Sequence, residues 1–202
     1  MLLHRFARIG MIVCIIIFTA SAHAIVIRHD RPDARYIELA RSFKAYGDVV
    51  EAGSTLIAPR WLLTAAHVVG SAGPSAVQFV LNFGGNETHV LQAQAISRFP
   101  TASFPYDDLA LIELATPVPS GVTIYPIARS SVGTGVPITL VGYGASGNGN
   151  VGVSVGASRS VKRVGMNNLD VVQTTLDSSG RSSSFYLYDF DGATGPGPVA
   201  GV

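Results

Sequence analysis

A histidine and a carboxylate stand in this sequence where they could act together on a proton. His67 lies in LTAAHV (residues 63–68), directly after a strand-like run, and Asp108 begins DLAL (residues 108–111). A carboxylate at the edge of a buried strand needs a hydrogen-bond donor, and an imidazole N–H is a suitable one. Such a pair would fix the imidazole tautomer and leave the other ring nitrogen free as a general base.

The elements that must position these residues are predicted to be strands of an all-β domain. Glycine is abundant at 22 residues, the apolar runs are short, and they recur at roughly the 8–12-residue spacing typical of a sandwich or barrel. No long βαβ alternation suggests a parallel sheet. Residues 33–46 could form a short helix from Asp33, and the Gly/Ser/Asn-rich residues 144–158 indicate a mobile loop. The predicted strands are residues 54–57, 62–66, 77–83, 89–96, 109–114, 137–143, 160–164, 169–174 and 184–190.

Residues 1–24 have the three-part pattern of a secretory signal peptide. Arg5 and Arg8 precede an apolar run, and residues 22–24 (AHA) form a small-x-small cleavage site. The alternative, a membrane anchor, is disfavoured because the apolar stretch is shorter than the ~20 residues of a spanning helix. We therefore expect a secreted or periplasmic protein whose mature chain is residues 25–202. Its single cysteine, Cys14, lies in the leader, so the exported domain has no disulfide.

Composition argues against a nucleic-acid or membrane partner. The formal net charge is only +1, charged residues make up 13% of the chain, and the leader itself carries two of the arginines. No basic cluster of the kind that binds nucleic acid or an anionic membrane surface is evident. We expect neither a nucleic acid nor, after signal cleavage, a membrane as a partner.

These motifs resemble those of the trypsin/chymotrypsin-like serine proteases, in the disulfide-free, bacterial style. LTAAHV is similar to that family's histidine motif, DLAL to its aspartate motif, and VGYG (residues 141–144) to a Gly-aromatic-Gly segment of its second barrel. His67 precedes Asp108 in the family's order of His, Asp and Ser. The resemblance implies two antiparallel β-barrels, a monomer, and hydrolysis of protein or peptide substrates without a cofactor or metal.

By this resemblance, His67 would be the general base and then the general acid, while Asp108 would hold its ring and stabilise the imidazolium. Asp107 is the competing carboxylate. Adjacent strand residues point to opposite faces, so only one of the two should reach His67, and the position of Asp108 relative to Leu-Ala-Leu matches the motif. His29 and His89 have no comparable setting. A chance match in a purely structural barrel would instead leave His67 and Asp108 far apart.

The sequence departs from the family at the nucleophile, because Gly-Asp-Ser-Gly-Gly-Pro is absent. Ser178, in DSSG (residues 177–180), lacks the flanking glycines and follows Asp108 too soon. Thr194, in GATGPGP (residues 192–198), has nearly the right distance and resembles a degraded site. The favoured expectation is that the chain is C-terminally truncated, with an incomplete second barrel and no activity of its own. The alternative is a non-catalytic binding or scaffold protein with a degenerate site.

Ile25 has two open interpretations. Cleavage after Ala24 would free an Ile-Val terminus, and family members are activated by freeing such a terminus at nearly this distance from the histidine. However, Ile27 and Arg28 stand where the family usually has two glycines. The other interpretation is that residues 25–27 form a simple first strand.

Overall fold

The computed structural model describes residues 23–84 and 87–189, and β-strands are their main secondary structure. The helices are short: α1 (Asp33–Ala40), α2 (Ala66–Val69) and a 3₁₀ helix (Pro74–Ala76). The strands of the first part of the chain are β1 (His23–Ile27), β2 (Tyr46–Val49), β3 (Ala52–Ala58), β4 (Trp61–Thr64), β5 (Gln78–Gly84), β6 (Glu87–Arg98) and β7 (Ala110–Leu114). Those that follow are β8 (Pro137–Gly142), β9 (Ala145–Asn148), β10 (Gly152–Val155), β11 (Arg163–Asn168), β12 (Val171–Leu176) and β13 (Ser182–Leu187).

Six of these strands close into a barrel, in the order β2-β3-β4-β7-β6-β5. Strand β7 illustrates how a strand faces the barrel core: Ala110, Ile112 and Leu114 point into the interior, while the residues between them are more exposed. Side chains of period two that point to one face are the signature of a strand with one buried side. Leu56, Leu62 and other apolar residues complete the fully buried barrel core. This confirms the predicted all-β class.

The second half of the described chain does not close into a second barrel. Its strands form two two-stranded sheets, β8-β11 and β12-β13, and a three-stranded sheet with β1 from the start of the chain, in the order β1-β9-β10. Strand β1 runs parallel to β9, and the other neighbours in these sheets are antiparallel. Ile25 lies buried within β1, and its carbonyl oxygen accepts a hydrogen bond from Ser146 Oγ at 2.6 Å. The first-strand interpretation of residues 25–27 therefore holds in this structure.

The prediction of a mobile loop over residues 144–158 was wrong, since β9 and β10 form a hairpin there. The Asn148 side chain accepts hydrogen bonds from the N–H groups of Asn150 and Val151, which closes the turn. A Cβ atom on Gly147 would lie 1.8 Å from the carbonyl oxygen of Gly152. The glycines thus permit close approach of two backbones, and their abundance was misread as mobility.

Other boundaries also moved. The helix predicted over residues 33–46 ends at Ala40. Tyr46, at the end of the predicted range, belongs to β2 and pairs with Thr55 of β3. The strand predicted over residues 62–66 ends at Thr64, and the next helix begins at Ala66. The boundaries of the last three predicted strands are displaced to those of β11, β12 and β13 by two to four residues.

A buried polar cluster joins the barrel to the second half of the chain. Asp48, fully buried in β2, accepts a 2.6 Å hydrogen bond from Arg159 Nε. Lys162 Nζ donates to the carbonyl oxygens of Phe43 at 2.6 Å and Tyr46 at 3.2 Å. Burial lowers the pKa of Lys162 to about 8 and raises the pKa of Asp48. The aromatic residue of VGYG, Tyr143, stacks on Tyr46 with ring centroids 6.0 Å apart.

Candidate active site

Strands β4 and β7 bring the two predicted site residues together. They pair antiparallel, with Thr64 opposite Ala110 at the end of the ladder. Beyond that pair the register continues for one more contact, in which the Ala66 N–H donates to the Asp108 carbonyl oxygen at 3.2 Å. His67 is the next residue after Ala66, in helix α2. The sequence separation between His67 and Asp108 is therefore closed by the strand pairing itself.

The Asp108 carboxylate contacts His67 twice. Oδ2 lies 2.6 Å from ring Nδ1, and Oδ1 accepts the His67 backbone N–H at 2.8 Å. Because an ionised carboxylate can only accept, the proton of this contact belongs to Nδ1, and Nε2 of the neutral ring is an acceptor. The Asp108 side chain is 13% exposed and the His67 side chain 55%. The carboxylate is thus held inside while the ring reaches the surface.

Asp107 points elsewhere. Its backbone has a φ of 51°, a left-handed conformation that Asp tolerates better than most residues. Its Oδ2 accepts a hydrogen bond from Thr101 Oγ1 at 2.6 Å and lies 3.6 Å from Arg181 Nη1. The prediction that Asp108, and not Asp107, faces His67 is confirmed. The interpretation as a chance match, which required the two residues to be far apart, is wrong.

Two further side chains support His67, and the sequence carried no local signal for either. The Phe104 ring meets the imidazole edge to face, with centroids 5.3 Å apart. Arg98, at the end of β6, donates to the carbonyl oxygens of Gly70 at 2.5 Å and Ala72 at 2.6 Å, just beyond helix α2. A cation that satisfies carbonyls at the end of a helix fixes the turn to which the histidine belongs.

Of the two disfavoured candidates for the nucleophile, the structure describes only Ser178, and it forms no hydrogen bond with His67. Ser178 lies exposed in the turn between β12 and β13, where its neighbour Ser179 bonds to Asp177. In residues 23–84 and 87–189, no hydrogen bond reaches His67 Nε2. Thr194 lies outside the described residues. The site is therefore a His–Asp pair with an exposed ring.

Among the described residues, no group of three or more His, Cys, Asp or Glu side chains is placed to hold a metal ion. No helix in that part of the chain is long and apolar enough to cross a membrane.

The six-stranded barrel and the carboxylate behind a surface histidine are features that the family resemblance led us to expect. Comparison with known proteins points to the same family. The sequence model of the trypsin family matches residues 38–183, and the chain belongs to that family. It is similar to human kallikrein-11, with 29% identity over an alignment 109 residues long, which covers 46% of this chain and 36% of that protein. The chain therefore spans little more than a third of the length of this curated relative. The predicted family resemblance is confirmed.

Proposed function

We propose that this protein is a serine endopeptidase of the trypsin type in which His67 is the base and Asp108 its orienting partner. The observation that carries the proposal is the double contact of one carboxylate with one histidine, at 2.6 Å to ring Nδ1 and 2.8 Å to the backbone N–H. The Asp108 carboxylate accepts both hydrogen bonds: the one from Nδ1 fixes the orientation and tautomer of the ring, and the one from the backbone N–H holds the carboxylate in place. A histidine held in this way serves proton transfer better than a freely rotating one.

A histidine held in this way could serve both proton transfers of peptide hydrolysis. Nε2 would take the proton of a serine Oγ as that oxygen attacks the peptide carbonyl carbon, which forms the tetrahedral intermediate. The same nitrogen would return the proton to the leaving amine when the C–N bond breaks. Water would then repeat both steps and release the acyl group from the serine. Throughout, Asp108 would stabilise the positive charge on the His67 ring.

The nucleophile is the missing part of this scheme. The 202-residue sequence contains no Gly-Asp-Ser-Gly motif, and Ser178 lies in a turn without contact to His67. In a protease of related mechanism, loss of the serine costs about 10⁶ in kcat. We propose that residues 25–202 are a protease domain, exported by the leader of residues 1–24, which does not turn over peptides in its 202-residue form. We further propose that it is a monomer and that its ligands are proteins or peptides.

One observation favours a second function, a non-catalytic binding protein on a protease fold. The His67–Asp108 pair is intact although no nucleophile motif accompanies it. A degenerate site, with Thr194 in the place of serine, would keep the fold and the substrate-binding surface but not the chemistry. Thr is a poor replacement, because its β-branched side chain is stiff at χ1.

Peptide hydrolysis separates these functions. The 202-residue chain is compared with the longest protein that its open reading frame encodes, called here the longest product. Each is tested as wild type, as His67→Ala and as His29→Ala, since His29 is an exposed histidine outside the site. We expect the longest product to be active if it contains a nucleophile motif, His67→Ala to abolish that activity, and His29→Ala to leave it unchanged. Activity that survives His67→Ala would overturn the proposal. A folded longest product that binds peptides without cleaving them would establish the second function.

A further inference from the structure

The β12–β13 hairpin reaches across to the segment that precedes Asp108, and one arginine makes most of the contact. We infer that Arg181 is a positioning residue for Asp108, acting through residues 101–107. Arg181 stands at the start of this hairpin's second arm, immediately before β13. It touches neither His67 nor Asp108, so any effect on the pair must pass through that segment.

Three contacts bind Arg181 to the segment. Its Nη1 donates to the Thr101 carbonyl oxygen at 2.7 Å and lies 3.6 Å from Asp107 Oδ2. The guanidinium carbon sits 5.6 Å from the centre of the Tyr106 ring, in the range of a cation–π interaction. The Thr101 carbonyl, the Asp107 carboxylate and the Tyr106 ring thus all lie close to one guanidinium.

The same guanidinium is anchored on its own hairpin. Its Nε donates to Asp177 Oδ2 at 2.6 Å, and the Arg181 N–H donates to Asp177 Oδ1 at 2.8 Å. The planar fork of arginine can use one edge for Asp177 and another for Thr101, whereas a lysine ammonium has no such fixed geometry. A second, smaller contact lies beside it, from Ser183 Oγ to the Pro105 carbonyl oxygen at 3.0 Å.

Asp107 links the contacts of Arg181 to the orientation of the Asp108 carboxylate. Asp107 has left-handed backbone geometry, so the chain turns sharply one residue before Asp108. Thr101 Oγ1 and Arg181 hold the Asp107 carboxylate on one side of the turn. The Asp108 carboxylate is thereby directed to the other side, towards His67. Release of Arg181 should loosen the turn and with it the 2.6 Å contact at Nδ1.

The catalytic role of Arg181 in this inference rests on the proposed function. Its effect on the geometry of the His67–Asp108 pair can be measured without catalysis. The probe is the Nδ1–H proton of His67, observed by NMR in the 202-residue protein and assigned by its loss in His67→Ala. The variants are Arg181→Met and Arg181→Lys, with Arg129→Met as the matched control, since Arg129 is exposed. Backbone amide signals of the barrel show that each variant is folded.

We expect Arg181→Met to speed solvent exchange of this proton by about tenfold, the factor at the low end of the range for a hydrogen bond to a charged group. Arg181→Lys should fall between wild type and Arg181→Met, and Arg129→Met should match wild type. Equal exchange in folded Arg181→Met and wild type would overturn the inference. If Arg181→Met does not fold, equal exchange in Arg181→Lys and Arg129→Met overturns it instead. Failure of the protein to hydrolyse peptides would leave this result unaffected.

Discussion

Substitution of Lys162 by Met should reveal a stability contribution that depends steeply on pH. The Lys162 side chain is buried, with the residue only 5% exposed, and its ammonium has two carbonyl partners but no carboxylate among its hydrogen-bond acceptors. Burial lowers its pKa from 10.5 to about 8. Met keeps a chain of similar length without the charge.

The sign follows from the direction of this shift. Because the folded-state pKa lies below the unfolded-state value, the unfolded chain binds the proton more tightly between about pH 8 and pH 10.5. Below this window the charged ammonium carries its full burial cost, and stability rises as pH increases through the window. At about 1.4 kcal/mol per pKa unit, the change amounts to roughly 3 kcal/mol.

The assay is urea unfolding from pH 7 to pH 11 at constant ionic strength. The measured quantity is the difference in unfolding free energy between wild type and Lys162→Met, in which the titration of the neighbouring tyrosines largely cancels. This difference should move in favour of wild type by roughly 3 kcal/mol as pH rises. Lys44→Met, at an exposed lysine, is the control. A wild type–Lys162→Met difference that is flat over this range, or that moves the other way, would show that Lys162 does not carry this burial cost.

Three further predictions concern the site, the hairpin and the leader. Asp108→Ala should destabilise the protein by about 1–3 kcal/mol in urea unfolding, because His67 loses both of its hydrogen bonds to this carboxylate; an unchanged midpoint would contradict this. Gly147→Ala should cost about 1–3 kcal/mol, since its Cβ would meet the Gly152 carbonyl oxygen, whereas Gly133→Ala has open space and should be neutral. N-terminal sequencing of exported protein should begin at Ile25, and a first residue within the leader would exclude this cleavage site.

The barrel strands could be predicted because their hydrophobic pattern is local. In β7, alternate residues are apolar and buried, and this period is visible in the sequence alone. Strand β2 could not be found in the same way. It places Gly47 and the carboxylate of Asp48 in buried positions, and the arginine that pairs with Asp48 lies far along the chain, at residue 159. Only the tertiary structure shows that this polar strand belongs to the barrel.

The candidate site likewise contains residues that the sequence could predict and residues that only the tertiary structure shows. His67 and Asp108 were found because each lies in a short motif beside a strand, and the β4–β7 register then brings them together. Arg98 and Arg181 gave no such signal. Each acts on backbone carbonyls of residues distant in sequence, and any surface arginine has the same local appearance. Contacts to the backbone leave no pattern of residue types to read.

Labelling with a serine-directed phosphonate tests the central claim, that His67 is the base of a serine protease, most directly. The reagent is applied to the 202-residue chain and to the longest product of its reading frame, each with and without His67→Ala, and intact mass gives the stoichiometry. We expect no adduct on the 202-residue chain, and one adduct per molecule, dependent on His67, on a product that contains the nucleophile motif. Stoichiometric labelling of the 202-residue chain that requires His67 would contradict the placement of the nucleophile, with Thr194 and Ser178 the first residues to examine. Labelling that persists in His67→Ala would contradict the central claim itself.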